Sequence, residues 1–315
     1  ATNARAYPGS CFMRGRRNAE TKGGTVSEAK GRAVSASGPW KSSRLCIAVG
    51  ILLVGVSLFF GRRPDDVLAL PTGVLDKRQC SRASHRKVVS KCTPQRSCGR
   101  IAMDGFASDA EVESLTAIAA RGMAMGGGSG GPTILDLQSG ALSKDDQFVD
   151  IWVLFNVTGT RAFTRSELSA YHQVVGRIQE ALDEHFGAER AFLTSPTFFS
   201  RISADKPPLI PNDEYWHSHV DTLQYRSFVY TGLLYLSTAG VDFEGGRLLF
   251  EGDGGEAEAA VSPRKGRLVL FTSGAEFPHR VETVSSGTRL ALTVAFTCDK
   301  RAAIENFLER AIDDS

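Results

Sequence analysis

The residues whose types and spacing can do chemistry are His219, Asp221, His279 and Arg289. Residues i and i+2 of an extended chain share a face, so the His219 imidazole and Asp221 carboxylate can address one ion, with His279 closing the triangle from another strand. Two histidines and one carboxylate leave coordination positions open, which suits Fe(II) working with O₂ and a chelating co-substrate. Zinc takes the same ligand types in a tetrahedral cage, so the residues alone do not separate the two metals. His217 shares the presumed face. Pairing His219 with Asp221 leaves His217 as a neighbour, whereas pairing His217 with His219 leaves Asp221 as an outer carboxylate that orients a histidine. Arg289 adds a cation ten residues after His279 and calls for an anionic partner.

These residues need a β scaffold to position them. Ser227 to Ser237 (SFVYTGLLYLS), the bend at Gly245 and Gly246 before Phe250, the turn at Lys265 and Gly266 before Phe271, and the run from Arg289 to Thr297 read as short strands between Gly/Pro turns. That frequency predicts an antiparallel sandwich or open barrel. Upstream, Ser108 to Glu111 and Thr164 to Glu167 have capping-box spacing, and each opens a helical stripe, Val112 to Ala119 and Leu168 to Phe186. These helices are expected to brace the sheet without supplying ligands. Phe148 to Val157 reads as a strand, and the glycine run Met125 to Gly131 as a mobile loop lacking the phosphate-loop pattern.

The chain has 315 residues, 42% hydrophobic and 23% charged, with a formal charge of +2. Residues 1–44 hold nine Lys/Arg against two Glu, so the remaining 271 residues carry five excess acids, which argues against a nucleic-acid partner. Leu45 to Phe60 is sixteen uncharged residues between basic flanks and is expected to act as a membrane anchor, with the basic tail on the cytoplasmic side. Cys80, Cys92, Cys98 and Cys298 lie beyond it, allow three pairings and suit an oxidising compartment. Asn156-Val-Thr158 is an N-glycosylation sequon. The expected organisation is a disordered tail (1–44), a transmembrane segment (45–61), a Cys-containing lumenal stem (62–99), a catalytic domain (100–300, core 205–299) and a C-terminal helix or tail (301–315). This is a single-pass type II topology in the secretory pathway, with the catalytic domain in the lumen of the endoplasmic reticulum or a later compartment.

From Asn212 to Asp299, and back to about Ile101, the chain resembles the Fe(II)- and 2-oxoglutarate-dependent dioxygenases of the prolyl 4-hydroxylase-like branch. The resemblance implies a mainly β fold with supporting helices, built on a double-stranded β-helix (jelly-roll) core. It implies His219, Asp221 and His279 as iron ligands and Arg289 as the holder of the distal carboxylate of 2-oxoglutarate. The branch's glycine bend falls on Gly245 and Gly246, and its Lys-Gly turn on Lys265 and Gly266. Implied cofactors are Fe(II), 2-oxoglutarate as co-substrate and L-ascorbate as reductant; O₂ and a peptide or protein, with a prolyl residue as one candidate target, are the implied substrates. The serine or threonine that relatives place two residues after the arginine is Ala291 here, so a supporting hydrogen bond must come from elsewhere. Tyr215, Tyr225 and Tyr230 are candidates, with Tyr225 and Tyr230 preferred. The alternative is a binding module that keeps the scaffold and its ligands without turnover.

Overall fold

The computed structural model describes residues 67–81, 92–94, 97–159 and 163–304. Its strands are β1 (Asp76–Gln79), β2 (Ser97–Met103), β3 (Gly127–Gly128), β4 (Thr133–Leu135), β5 (Ala141–Asp145), β6 (Gln147–Asp150), β7 (Phe192–Ser203), β8 (Tyr230–Tyr235), β9 (Phe243–Gly245), β10 (Leu248–Glu251), β11 (Ala257–Val261), β12 (Leu268–Thr272), β13 (His279–Val281) and β14 (Val284–Thr297). The helices are α1 (Asp109–Met123), α2 (Ile151–Thr158), α3 (Arg165–Phe186) and the single turn α4 (Asp221–Gln224).

A large, mostly antiparallel sheet runs in the order β1-β2-β12-β8-β14-β7-β4-β5-β3, and a small sheet β11-β10-β13 faces it. This arrangement agrees with the expected jelly roll. Alternation along the strands divides the large sheet into two chemistries. Leu234, Leu268, Leu270, Leu292, Val294 and Phe296 join α1 and α3 in one apolar core, and Leu233, Tyr235, Val269, Phe271 and Ala291 meet Leu248, Phe250 and Val261 of the small sheet in another. Both capping boxes form, at Ser108 with Glu111 and at Thr164 with Glu167. The two helices are tied by their polar faces as well, since Arg177 of α3 pairs with Glu111 at 2.6 Å and Glu167 with Arg121 at 2.6 Å.

Three expectations change. Phe148 to Val157 is not one strand: β6 ends at Asp150, whose carboxylate accepts from the Trp152 and Val153 amides, and α2 follows until Gly159 closes it in a left-handed conformation. Two strong caps outweigh the β preference of the apolar run between them. The glycine run is held in place. Gly127 and Gly128 pair with β5, Ser129 donates to Asp213, and a Cβ at Gly130 would lie 2.1 Å from the Pro207 carbonyl.

The third change concerns the membrane. No helix among the described residues is long and apolar enough to cross one, and the uncharged run within 45–61 lies outside them. Its sixteen residues also fall short of the roughly 20 that a span requires. The N-terminal transmembrane helix, the single-pass type II association and the lumenal placement are therefore withdrawn. Residues 1–44 and 305–315 likewise fall outside the described part.

The cysteines pair as Cys80–Cys98 and Cys92–Cys298. The first ties β1 against β2, so residues expected to form a stem contribute strands to the main sheet.

On the helical side, Asp136 is 1% exposed and accepts from the Gln138 and Ser139 amides through Oδ1. Burial raises its pKa above the usual carboxylate value. Ionisation of Asp136 therefore opposes folding once the pH exceeds the unfolded-state pKa, and the penalty is complete above the folded-state one. Asp136→Asn keeps the acceptor oxygen and removes the charge. Its Tm at pH 7 is expected to equal or exceed that of the wild type, with the difference shrinking below about pH 4. A Tm gap that instead widens in acid would contradict this assignment.

Candidate functional site

The three ligand candidates come from three different local structures. His219 is not on a regular strand; it forms a single antiparallel bridge with His279, His219 N donating to His279 O at 2.9 Å and His279 N to His219 O at 3.0 Å. His279 in turn pairs with Phe250 of β10. Directly opposed residues of antiparallel neighbours project to one side, which brings the tilted His219 and His279 rings to 4.3 Å and places Phe250 5.9 Å from His279. Asp221 opens α4, so a turn of the chain, rather than the i, i+2 alternation expected of a strand, brings its carboxylate to the histidines. The ligand atoms of His219, Asp221 and His279 lie within 4.8 Å of one another and could hold a metal ion.

Tautomers and orientation favour a metal. The Nδ1 of His219 is 3.1 Å from the His217 carbonyl and that of His279 is 3.0 Å from the Phe277 carbonyl. Each Nδ1 must therefore carry the proton, which leaves each Nε2 lone pair free. Both Nε2 atoms face Asp221 Oδ1, at 3.7 Å and 3.5 Å. Burial, then the neighbouring His279, pull the His219 pKa below the usual imidazole value, so the ring is neutral and able to ligate at pH 7. His217 points elsewhere, its Nε2 lying 2.6 Å from Glu214 on the exposed side. That removes the alternative in which it was a ligand.

The wall behind His279 is aromatic and charged. Phe271 lies 4.9 Å from the His279 ring. Arg100, 4% exposed, sits 4.8 Å and 5.0 Å from the Phe250 and Phe277 ring centres and pairs with Asp76 and Glu258. Strand β1 thereby reaches the site through Asp76 and Arg100. The acidic residues Glu244, Glu251, Asp253, Glu256 and Glu258 do not form a continuous rim: Glu251 is buried and bonded to Arg280 and Ser218, and Glu258 is engaged by Arg78 and Arg100. Glu244, Asp253 and Glu256 remain exposed.

Arg289 is 2% exposed, and its Nε donates to the Gly246 carbonyl at 3.0 Å. That approach requires glycine: Gly246 has φ +66°, and a Cβ there would lie 2.8 Å from the Phe243 ring and 3.0 Å from Arg289 Cδ. Among the described residues no carboxylate pairs with Arg289, and its Nη2 has no hydrogen-bond partner. Burial accordingly lowers its pKa. The Tyr235 ring lies 5.2 Å from the guanidinium and its hydroxyl is drawn to Arg289, yet among the described residues neither that hydroxyl nor Arg289 Nη2 makes a well-formed hydrogen bond. A buried cation and a buried hydroxyl left unsatisfied side by side cost several kcal/mol unless an acceptor joins them. Two convergent donors fit a carboxylate.

Tyr235 faces Ala291 across the strands. The small Ala291 side chain on that face leaves room for the tyrosine, whose ring lies beside Arg289. Tyr230 sits an odd number of residues before Tyr235 and faces the helical core, its hydroxyl donating to the Cys92 carbonyl. Tyr225 stacks on Phe228 at 4.8 Å, and its pKa is pushed up to about 12 by burial and then by Asp221. Tyr215 accepts from the Val284 amide at 2.8 Å and lies within electrostatic reach of Arg289. Asn156 is exposed, near the end of α2. The residues that sequence reasoning missed are Tyr235 and Thr231, both on the site face of β8; the parity of their spacing was the available signal.

Comparison with known proteins places these residues in context. A family model described as the 2OG-Fe(II) oxygenase superfamily matches residues 210–297. The human 2-oxoglutarate and iron-dependent oxygenase domain-containing protein 3 is 44% identical over 71% of this chain and 69% of its own length. The mouse protein of the same name is 41% identical over 83% of this chain and 85% of its own. Rat prolyl 3-hydroxylase 1 is 28% identical over 64% of this chain and 29% of its own length.

Proposed function

As this chain belongs to the 2OG-Fe(II) oxygenase superfamily and is an Fe(II)- and 2-oxoglutarate-dependent dioxygenase, we propose that it hydroxylates a peptidyl residue, with proline the first candidate. The observation that carries the co-substrate assignment is the buried pair Arg289 and Tyr235, which lacks a carboxylate partner among the described residues; Tyr235 shares its apolar cluster with Phe250 and Phe271, the rings packed against His279. Similarity to a prolyl 3-hydroxylase supports the choice of residue.

The donor set fits Fe(II): two imidazoles and one carboxylate, with positions left for a chelating acid and for O₂. When bound, the iron with 2-oxoglutarate and O₂ supplies the oxidation that places one oxygen on a C–H carbon and the other in succinate, with release of CO₂. The protein's residues do the rest. The His217 and Phe277 carbonyls hold the imidazole tautomers, and Asp221 Oδ1 provides the anionic ligand. Arg289 and Tyr235 bind the distal carboxylate, and Leu233, Phe250 and Ala291 line an apolar floor that excludes water from between the two ends. Tyr225, beside Asp221, is assigned to the metal end of the co-substrate. The hydroxyl of Tyr230 is spent on Cys92, which leaves it supporting β8. Ascorbate, as the reductant that restores ferrous iron, belongs to the same reading.

The test incubates the protein with Fe(II), 2-oxoglutarate and proline-containing peptides, then searches by mass spectrometry for a peptide that gains one oxygen atom. The gain should be absent with Asp221→Ala. Succinate release without oxidation of any prolyl peptide would redirect the substrate assignment and leave the dioxygenase intact.

Arg289→Ala should raise the KM for 2-oxoglutarate by about a hundredfold, since truncating one partner of a buried charge pair costs roughly 3 kcal/mol. Tyr235→Phe, losing one neutral donor, should raise it about fivefold, near 1 kcal/mol. Both should leave Co(II) affinity unchanged. A loss of metal affinity matching the loss of co-substrate affinity would show that Arg289 supports the triad and does not bind the acid.

A further inference from the structure

Asp221 has two carboxylate oxygens in different surroundings. Oδ1 faces both histidine Nε2 atoms, whereas Oδ2 lies 2.6 Å from Thr231 Oγ1, which in turn lies 2.8 Å from Ser273 Oγ. All three side chains are closed off, Asp221 at 7%, Thr231 at 4% and Ser273 at 1% exposure. A carboxylate only accepts, so Thr231 must spend its single proton on Oδ2. Ser273 must then donate to Thr231, which fixes the direction of the chain as Ser273 to Thr231 to Asp221. Each bond polarises the next. Backbone contacts hold the same parts together: Thr222 N donates to Ser273 O at 3.1 Å, and Ser273 N donates to Val229 O at 2.9 Å.

We propose that Thr231, supported by Ser273, is a positioning residue that withholds Oδ2 from the metal and commits Asp221 to binding through Oδ1 alone. This rests on the metal-centre reading above and adds a residue role to it. A carboxylate free to bind through both oxygens occupies an extra coordination position, one that a chelating acid and O₂ would otherwise share. Holding Oδ2 by a charge-assisted hydrogen bond keeps that position open and stops the carboxylate rotating away from the two imidazoles. Strand geometry explains why this residue does it: Thr231 lies four residues from Tyr235 on the same face of β8, so one strand orients both the metal end and the anion end of the pocket.

The test uses Co(II) as a probe, without turnover. Thr231→Val keeps the shape and removes the proton; Thr231→Ser keeps the proton. For Thr231→Val, Co(II) affinity should fall about 10–100-fold, the usual effect of losing an outer partner of a metal ligand. The visible spectrum of the Co(II) protein should also change, and its response to added 2-oxoglutarate should weaken. Thr231→Ser should restore both, and Ser273→Ala should move both in the direction of Thr231→Val by a smaller amount. If Thr231→Val does not fold, Ser273→Ala and Thr231→Ser carry the test through the same two readouts. Wild-type Co(II) affinity and spectrum in a folded Thr231→Val or in Ser273→Ala would overturn the proposal. Failure of the wild type itself to bind Co(II) would instead overturn the metal-centre reading.

Discussion

Asp221→Ala is expected to reduce iron-dependent succinate release to the level measured without metal. Asp221 is the only anionic member of the triad, and its Oδ1 is the atom toward which both histidine Nε2 atoms are aimed. Without it, two imidazoles remain to hold a divalent cation, with neither charge neutralisation nor a third contact. The fold should tolerate the change. The hydrogen bond lost is that to Thr231, which Ser273 can still engage, so the expected cost to stability is about 1 kcal/mol. Measured together, succinate release, iron content and Tm separate the two effects. Wild-type turnover in an iron-loaded Asp221→Ala protein would show that the triad is not the metal site.

Breaking the Cys92–Cys298 bridge is expected to produce the largest loss of stability of any single change considered. The two cysteines are 206 residues apart, so the bond closes nearly the whole folded chain, whereas Cys80 and Cys98 are separated by 18. In the chain-entropy account the long loop contributes about 5 kcal/mol and the short one about 3 kcal/mol. Against a typical domain stability of roughly 5–15 kcal/mol, the first is a large share. Cys92→Ser should therefore lower the urea midpoint more than Cys80→Ser, and reductant should lower the wild type toward a variant that carries both substitutions. A smaller shift for Cys92→Ser than for Cys80→Ser would contradict the loop-length account. The carbonyl of Cys92 also accepts from the buried Tyr230 hydroxyl, so this bridge anchors the helical face of β8 as well.

Much of the site was readable from local signals. The two capping boxes, the glycine bend and the ligand types each depend on a few neighbouring residues, and each appears where those residues stand. The expected strand at Phe148 to Val157 failed for a local reason too, because the Asp150 cap and Gly159 decide the element and the apolar run between them does not. Other features were not legible because they depend on long-range pairing. Glu251 and Glu258 look like surface acids until the arginines that neutralise them, Arg280 and Arg78 with Arg100, are folded against them.

By itself the sequence determined the donor types, His219, Asp221, His279 and Arg289, and the kind of chemistry they support. The tertiary structure alone decided which face each strand residue takes and which remote residues meet. Tyr235 and not Tyr230 stands beside Arg289 because register places Tyr235 opposite Ala291 on the pocket face. Asp221 meets the histidines through a helical turn, and Thr231 meets Asp221 from a separate strand. Ligand type is a property of one residue; parity, register and convergence exist only after distant segments have paired.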